Sequence, residues 1–467
     1  MTISFHGAAR SVTGSKHLVT LDSGRKILFD CGLFQGMGPQ TDELNRDFGF
    51  DPAEVNYLLV SHAHIDHTGL IPKLFKEGFK GRIISTLATK DLTDILLHDS
   101  AEIQTYEIEF INKRRALKDL PPYEPLYNSQ IVDEVMQLFE TYPFDEWIKL
   151  EDGIEVMFTY TGHLIGAGAV HLKVDDDGKS TQITFSGDVG RYRSPLLSPP
   201  KEFPQADYII MESTYGDKLH DVVFSTVDEL LKWVKHTCIK KGGQLIIPAF
   251  SVGRTQEVLY ALNQLSLEKR LPELTYFVDS PLSTKATQVV KTYTDEFNER
   301  LQSVLKIDDD PFDFPGIRYI ETVEESRQLV NYKQPCVIIS ASGTADAGRV
   351  RHHINSCISN PQNTILFVGY CEKNSLGGKL LAEEKEVEIF GDPCTVAAEI
   401  GRVASLSAHG DYDDLTRFVS CQDAEKVKKV FLVHGEYLTQ QDFAARLERK
   451  GFETIVMPSM HQQIELE

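Results

Sequence analysis

In Tyr57-Leu58-Leu59-Val60-Ser61-His62-Ala63-His64-Ile65-Asp66-His67, an apolar run stops at a cluster of three histidines and one aspartate. The run is short and apolar throughout, as expected of a strand buried on both faces. His62 and His64 stand two apart, so on extended backbone their side chains face the same way. Asp66 and His67 then open a helix expected to run to about Phe75, with Leu70 and Leu74 on its buried face. The ligand atoms of this second pair diverge from those of the first, which supplies two adjacent half-sites rather than one. Imidazole and carboxylate suit Zn²⁺ and, less exclusively, Mn²⁺ or Fe²⁺.

Other apolar runs stop in the same manner. Lys26-Ile27-Leu28-Phe29 ends at Asp30, Glu155–Tyr160 at Thr161-Gly162-His163, and Gln182–Phe185 at Ser186-Gly187-Asp188. Tyr208–Met211 ends at Glu212, and Val430–Val433 at His434-Gly435. Strands followed by short loops bearing Asp, Glu or His bring those loops together if the strands share sheet edges. His62, His64 and His163 would then hold one ion, Asp66, His67 and His434 a second, and Asp188 would bridge them. Two divalent ions, two carboxylates and a bridging hydroxide leave one positive charge, which suits a phosphodiester.

Between these segments the chain alternates strands and helices in a different rhythm. Strands are expected at Gln244–Pro248, Tyr276–Val278, Cys336–Ile339 and Thr364–Val368, with a helix from Gln256 to Leu265. This predicts a separate α/β unit over about 216–399, inserted into a first domain of 1–215 that resumes over 400–467, because His434 lies beyond it. Asp175-Asp176-Asp177 and Asp308-Asp309-Asp310 read as solvated turns.

Composition bounds the function. The chain has 467 residues, 48 Lys+Arg against 69 Asp+Glu, and a net charge of −21. No apolar run is long enough to span a bilayer, and the start Met1–Gly7 carries no secretory pattern. Seven cysteines without a Cys-x-x-Cys pair fit a reducing cytoplasm rather than a disulfide scaffold or a thiolate zinc site. The acidic balance opposes broad, charge-driven nucleic-acid binding. Charges are screened over about 8–10 Å at physiological salt, so local sign matters more than the total. Residues 216–399 carry −6 and the remainder −15. Arg254, Lys285, Arg349, Arg351 and Lys379 are the cations that could line a narrow cleft; if a nucleic acid were the substrate, they would contact few nucleotides with a shallow salt dependence.

The cluster His62-Ala63-His64-Ile65-Asp66-His67, with Asp30, His163 and Asp188, resembles the metallo-β-lactamase-fold hydrolases. Gly7–Ser15, Glu212-Ser213-Thr214-Tyr215-Gly216, Ile247–Arg254, Ser407-Ala408-His409-Gly410-Asp411 and Leu432-Val433-His434-Gly435-Glu436 are similar to the β-CASP branch. That branch includes the endonuclease subunit of the eukaryotic mRNA 3′-end cleavage factor and its bacterial and archaeal relatives. The resemblance spans essentially the whole chain. It implies an α/β fold: a metallo-β-lactamase αββα sandwich with a two-zinc site along one sheet edge and an inserted α/β β-CASP cap domain. It implies that Asp30 orients the metal ligands, that Glu212 hydrogen-bonds His409, and that His409 is the general acid protonating the departing ribose oxygen. Asp66 belongs with this catalytic set. Histidine at 434 accompanies RNA substrates in the branch, where DNA-directed members carry valine. Read without the resemblance, His409 is a loop histidine capping the acidic segment after it.

Ser340-Ala341-Ser342-Gly343 through Gly348-Arg349 resembles the family loop that meets the substrate backbone, which makes Ser340, Ser342, Gly343, Arg254 and Arg349 candidate RNA contacts. Taken alone, it is a strand–helix turn. Thr344-Ala345-Asp346-Ala347 departs from the usual apolar, glycine-rich stretch, and Tyr370-Cys371-Glu372-Lys373-Asn374-Ser375-Leu376-Gly377-Gly378 departs from the commoner Gly-Thr-Leu-Gly-Arg form. The implied function is an RNA-cleaving phosphodiesterase using two Zn²⁺ ions, with Mn²⁺ as an alternative, leaving 5′-phosphate and 3′-hydroxyl ends. Competing functions are a thioester or lactam hydrolase on the same centre and a non-catalytic RNA-processing subunit. Endonucleolytic and 5′-to-3′ exonucleolytic modes, and a homodimer, stay open.

Overall fold

The computed structural model describes residues 1–176, 178–220, 226–369, 371, 373–403 and 407–467; Asp177, Tyr370 and Glu372, named above, lie outside the described residues. The chain forms two compact units, one of 1–192, 199–219 and 409–467, the other of 193–198 and 220–408.

The first unit is built on two seven-stranded sheets. One runs Gln463–Glu465, Thr2–Phe5, His17–Thr20, Lys26–Phe29, Tyr57–Leu59, Arg82–Ser85, Phe139–Thr141. The other runs Ile455–Val456, Lys429–Val433, Tyr208–Glu212, Lys179–Phe185, Gly168–Asp176, Ile154–Tyr160, Ile148–Glu151. Alternation along each strand sorts its side chains. Ile27, Phe29, Leu59, Phe158, Phe185, Ile210 and Phe431 meet in one core between the sheets. Leu28 and Leu58 point the other way, into a layer with Leu70, Leu74, Leu97 and Val132 of the helices. Met211 and Leu432 do the same on the second sheet, against Leu415, Phe418, Phe443 and Leu447. Both faces of each sheet are therefore covered, which explains the near-continuous apolar runs and makes the unit an αββα sandwich.

Strand direction positions the site. Lys26–Phe29 and Tyr57–Leu59 are parallel neighbours. Lys179–Phe185, Tyr208–Glu212 and Lys429–Val433 are parallel to one another, and Ile154–Tyr160 runs the same way, two antiparallel steps along. Their C-terminal ends thus emerge on one edge of each sheet.

One expectation is corrected. The helix opened by Asp66 and His67 does not continue to Phe75: Ile65–Thr68 and Ile71–Lys76 are separate. Leu70 N–H donates to the Cys31 carbonyl (2.9 Å), while the Asp66 carbonyl accepts from Ser15 N–H (2.8 Å). Pro72 has no N–H to continue the ladder. A Cβ at Gly32 would lie 1.6 Å from the Asp66 oxygen, so only glycine admits this approach.

The second unit has a six-stranded parallel sheet in the order Ile317–Tyr319, Thr275–Val278, Cys336–Ser340, Gln244–Pro248, Thr364–Phe367, Glu399–Arg402. Helices Arg254–Leu267, Pro281–Val290 and Val350–Cys357 lie in the intervening crossovers. At the end of the strand Thr275–Val278, the buried Asp279 accepts from His353 Nε2 (2.6 Å), Ser326 Oγ (2.6 Å) and Arg349 (2.7 Å). Burial opposes its ionisation, but these three donors hold the carboxyl below its ordinary value. Asp279→Ala strands the partners of a buried charge and is expected to lower stability by about 3–5 kcal/mol. Because the folded value is depressed, the stabilisation is complete above the unfolded carboxylate value of about 4 and fades as pH falls through the folded one. Urea titrations of parent and variant at pH 7 and at pH 3.5 check both statements: the gap should be wide at pH 7 and narrower at the lower pH.

Candidate metal centre

Asp30, His62, His163, Asp188 and His434 sit one to three residues past a strand end, and His64, Asp66 and His67 follow within the next five positions after His62. Asp30 and His434 both adopt left-handed backbone, with φ of 55° and 50°, a conformation that costs of order 1 kcal/mol or more outside glycine and collects at functional sites.

His62 Nε2 lies 3.2 Å from His64 Nδ1, and His163 Nε2 3.1 Å from the same atom. On the other side, His434 Nε2 lies 3.3 Å from His67 Nε2 and 3.3 Å from Asp66 Oδ2. Asp188 stands between the two groups. Its Oδ2 faces His62 Nε2 (3.4 Å) and His163 Nε2 (3.5 Å), while its Oδ1 faces His67 Nε2 (3.4 Å) and the His434 ring (3.6 Å). Donors about 2.0–2.1 Å from a tetrahedral cation stand roughly 3.3 Å apart, so these separations are those of ligands sharing an ion. Asp188 Oδ1 is buried and has no hydrogen-bond partner among the described residues, an uncompensated position unless a cation faces it.

The outer nitrogens settle the tautomers. His67 Nδ1 donates to Asp30 Oδ2 at 2.6 Å. Ser61 Oγ also donates to Asp30 Oδ2 (2.7 Å), and His62 Nδ1 reaches that hydroxyl at 3.1 Å. Thr214 Oγ1 donates to the His434 carbonyl and lies 3.0 Å from His434 Nδ1. For His62 and His434 a proton on Nδ1 leaves Nε2 its lone pair, as metal-ligating histidines require, and His67 would offer the same lone pair once a cation replaced the proton on its Nε2.

Charge follows the same logic. Burial drives His62 and His163 well below the usual histidine range, and His64 to about 4, so all three are neutral donors near pH 7. Burial also opposes a proton on His67, but Asp188 and Asp30 outweigh it and hold that ring well above its ordinary value. Burial would raise Asp188, yet His434 and His67 hold it well below the carboxylate range. A buried cluster whose carboxylates hold a proton on an imidazole is short of positive charge, which divalent cations supply. The donor set and its charge therefore fit a metal centre.

His409 lies beside this cluster. Its Nδ1 is 3.2 Å from Glu212 Oε1 and 3.8 Å from Asp188 Oδ2, and its ring packs 4.6 Å from that of His163. Glu212 is fully buried, and Oε1 also accepts from Val189 N–H (2.6 Å). Burial disfavours a charged His409, but Glu212 and Asp188 prevail and raise it to about 9. The acidic segment that follows is capped by Asp411, whose side chain accepts from Asp413 and Asp414 N–H (3.0 Å each).

The remaining candidates belong to the second unit. Ser340 Oγ is buried and donates to the Asp279 carbonyl (2.8 Å). Ser342 Oγ accepts from Ala347 N–H (3.4 Å) within its own loop, and a Cβ at Gly343 would meet the Phe250 ring at 2.7 Å. Arg349 is held by Asp279 and by the carbonyls of Ile320 and Glu321; Arg254 is buried and ion-paired with Glu257. Asp346 accepts from Leu376 N–H (2.8 Å), tying the loop to the helix Leu376–Leu381, which gives the departure at that position a structural role.

Ser61 and Thr214 have roles that only the structure reveals. Both hydroxyls were in view, one before His62 and the other in the Glu212–Gly216 motif, but a hydroxyl beside a strand end carries no signal until its partner is known.

Three family models match the chain: the metallo-beta-lactamase superfamily over 14–236, the Beta-Casp domain over 255–380, and the Zn-dependent metallo-hydrolase RNA specificity domain over 394–458. Ribonuclease TTHA0252 of Thermus thermophilus is 33% identical over 436 residues, covering 93% of each chain. The RNase J-like protein of Methanocaldococcus jannaschii is 30% identical over 95% of this chain and 94% of its own. Cleavage and polyadenylation specificity factor 73 of Drosophila melanogaster is 27% identical over 95% of this chain and 61% of its own. With this sandwich, this insertion and this buried donor cluster, the chain belongs to the β-CASP metallo-β-lactamase family of metal-dependent ribonucleases.

Proposed function

We propose that the chain hydrolyses RNA phosphodiester bonds at a centre of two zinc ions, His62, His64 and His163 holding one, Asp66, His67 and His434 the other, and Asp188 both. The observation that carries this reading is Asp188 itself, each of whose oxygens faces a different pair of histidines. A cation pair there would polarise a water for attack at phosphorus and offset charge on the oxygens of the phosphate. Asp30 orients His67 and, through Ser61, His62. Glu212 orients His409, so the proton delivered to the departing 3′ oxygen of ribose travels from Nε2 of that ring.

The substrate reading is supported by the RNA specificity model matched over 394–458 and by relatives named as ribonucleases. Ser342 and Gly343 carry the backbone contact with RNA within a β-CASP domain of 216–399, while Ser340 and Arg349 hold that loop through Asp279. Domain 1–215 resumes over 400–467.

The test is purified chain on end-labelled RNA bearing free or phosphorylated 5′ ends, with and without chelator, beside small ester and lactam substrates. RNA cleavage lost on chelation and regained with Zn²⁺, at close to two metals per chain, is the expected result. His64→Ala should lose metal and cleavage together. Full RNA cleavage by that variant, or turnover of lactam or ester alone, would refute the reading. The 5′-phosphate dependence separates the exonucleolytic from the endonucleolytic mode.

A further inference from the structure

The helix Leu87–Ala116 is 30 residues long. Its first half is anchored by Leu92, Leu96, Leu97 and Ala101. Beyond Ala101 only one side stays packed: Asn112 exchanges hydrogen bonds with the Tyr123 backbone (2.9 and 2.7 Å), and Arg115 donates to the Pro121 carbonyl (2.7 Å). The opposite side carries Ile103, Tyr106, Phe110 and Leu117, exposed by 40, 77, 55 and 87%. Positions 103, 110 and 117 are seven apart, and 106 falls three after the first of them. That is the spacing of a coiled-coil seam. A stripe of large apolar side chains this exposed is uncommon on a chain without a partner there.

The charges beside the stripe are sorted by position. Glu102, Glu107 and Glu109 flank its first half; Arg114 and Lys118 flank its second, where Lys113 takes the seam position three after Phe110. A parallel copy would set like charges together. An antiparallel copy sets the acidic half of each helix against the basic half of the other, and a two-fold axis near Phe110 satisfies both halves at once. Arg114 already lies over the Phe110 ring, 4.5 Å from its centroid, where it would meet the partner's aromatic stripe.

We infer that this helix face is a homodimer interface, two copies of the chain pairing antiparallel through Ile103, Tyr106, Phe110 and Leu117 with charge-matched flanks. Sedimentation velocity on the full chain should give twice the 52.6 kDa chain mass at tens of micromolar. Phe110→Glu should halve that mass while leaving the far-ultraviolet circular dichroism of the chain unchanged, since the side chain is exposed in the single chain. A second measurement uses charge. The double variant Lys113→Glu, Arg114→Glu and the double variant Glu102→Lys, Glu107→Lys should each be monomeric alone and dimeric when mixed at low salt. The inference is overturned by a wild-type chain that stays monomeric, by a Phe110→Glu dimer, or by charge variants that fail to pair on mixing. Binding of RNA or of a different protein to the stripe of a monomeric chain would overturn it equally.

Discussion

Asp188→Asn is expected to give the largest loss of activity of any single conservative replacement in this chain. The change keeps size and removes one charge. That charge is the one faced by His62 and His163 through Oδ2 and by His67 and His434 through the side of Oδ1. The amide nitrogen presents hydrogens to a cation or an imidazole lone pair in one position, and the uncharged amide oxygen left in the other is a weaker ligand than a carboxylate, so both donor groups suffer. RNA cleavage should fall by roughly 10⁴-fold or more, as when one member of a set acting as a unit is removed. Bound metal, measured by elemental analysis after dialysis, should fall with it. A variant that retains both metals and cleaves within tenfold of the parent would show that Asp188 is not shared between ions.

His409→Ala should separate chemistry from metal binding. Its ring is held by Glu212 at the edge of the cluster, so its loss leaves the donor groups intact and metal content unchanged. Removing a positioned general acid costs roughly 10²–10⁴-fold in rate. The specific signature is rescue by the leaving group. An RNA with sulfur in place of the bridging 3′ oxygen departs as a thiolate that needs no proton, so parent and variant should cleave it at similar rates. An equal deficit on both substrates would move His409 out of the proton-donor role. Glu212→Gln should give a smaller version of the same pattern, because it weakens the orientation of the ring without removing it.

Much of the sandwich was legible from alternation and strand ends, for physical reasons. Lys26–Phe29 and Tyr208–Glu212 are covered on both faces, so they read as unbroken apolar runs, and the polar residue that halts each run marks where the chain leaves the sheet. The helix that opens at Ile65 breaks before Ile71, and its break depends on distant partners. Cys31 takes the Leu70 N–H and Ser15 takes the Asp66 carbonyl, which no local pattern announces. Arg254 and Arg349 look like available cations along the sequence for the same reason. Glu257 and Asp279 engage them, and the Asp279 partner lies 70 positions away from Arg349. Ser61 and Thr214 remained silent because their role is to fix a tautomer, a matter of one hydrogen bond each.

What the sequence determined by itself is chemical and local: which donors are available, that His62 and His64 share a side of the backbone, and that each ligand-type residue follows a strand. Which donors meet was decided only by tertiary structure. Segments near 62, 163, 188 and 434 converge because their strands run the same way in two stacked sheets, and strand order is set by packing of whole layers rather than by any spacing along the chain. The burial that keeps the His62 and His163 imidazoles neutral arises from the same packing, and that packing also sets His434 and His67 against Asp188, which hold it as a carboxylate although burial opposes the charge.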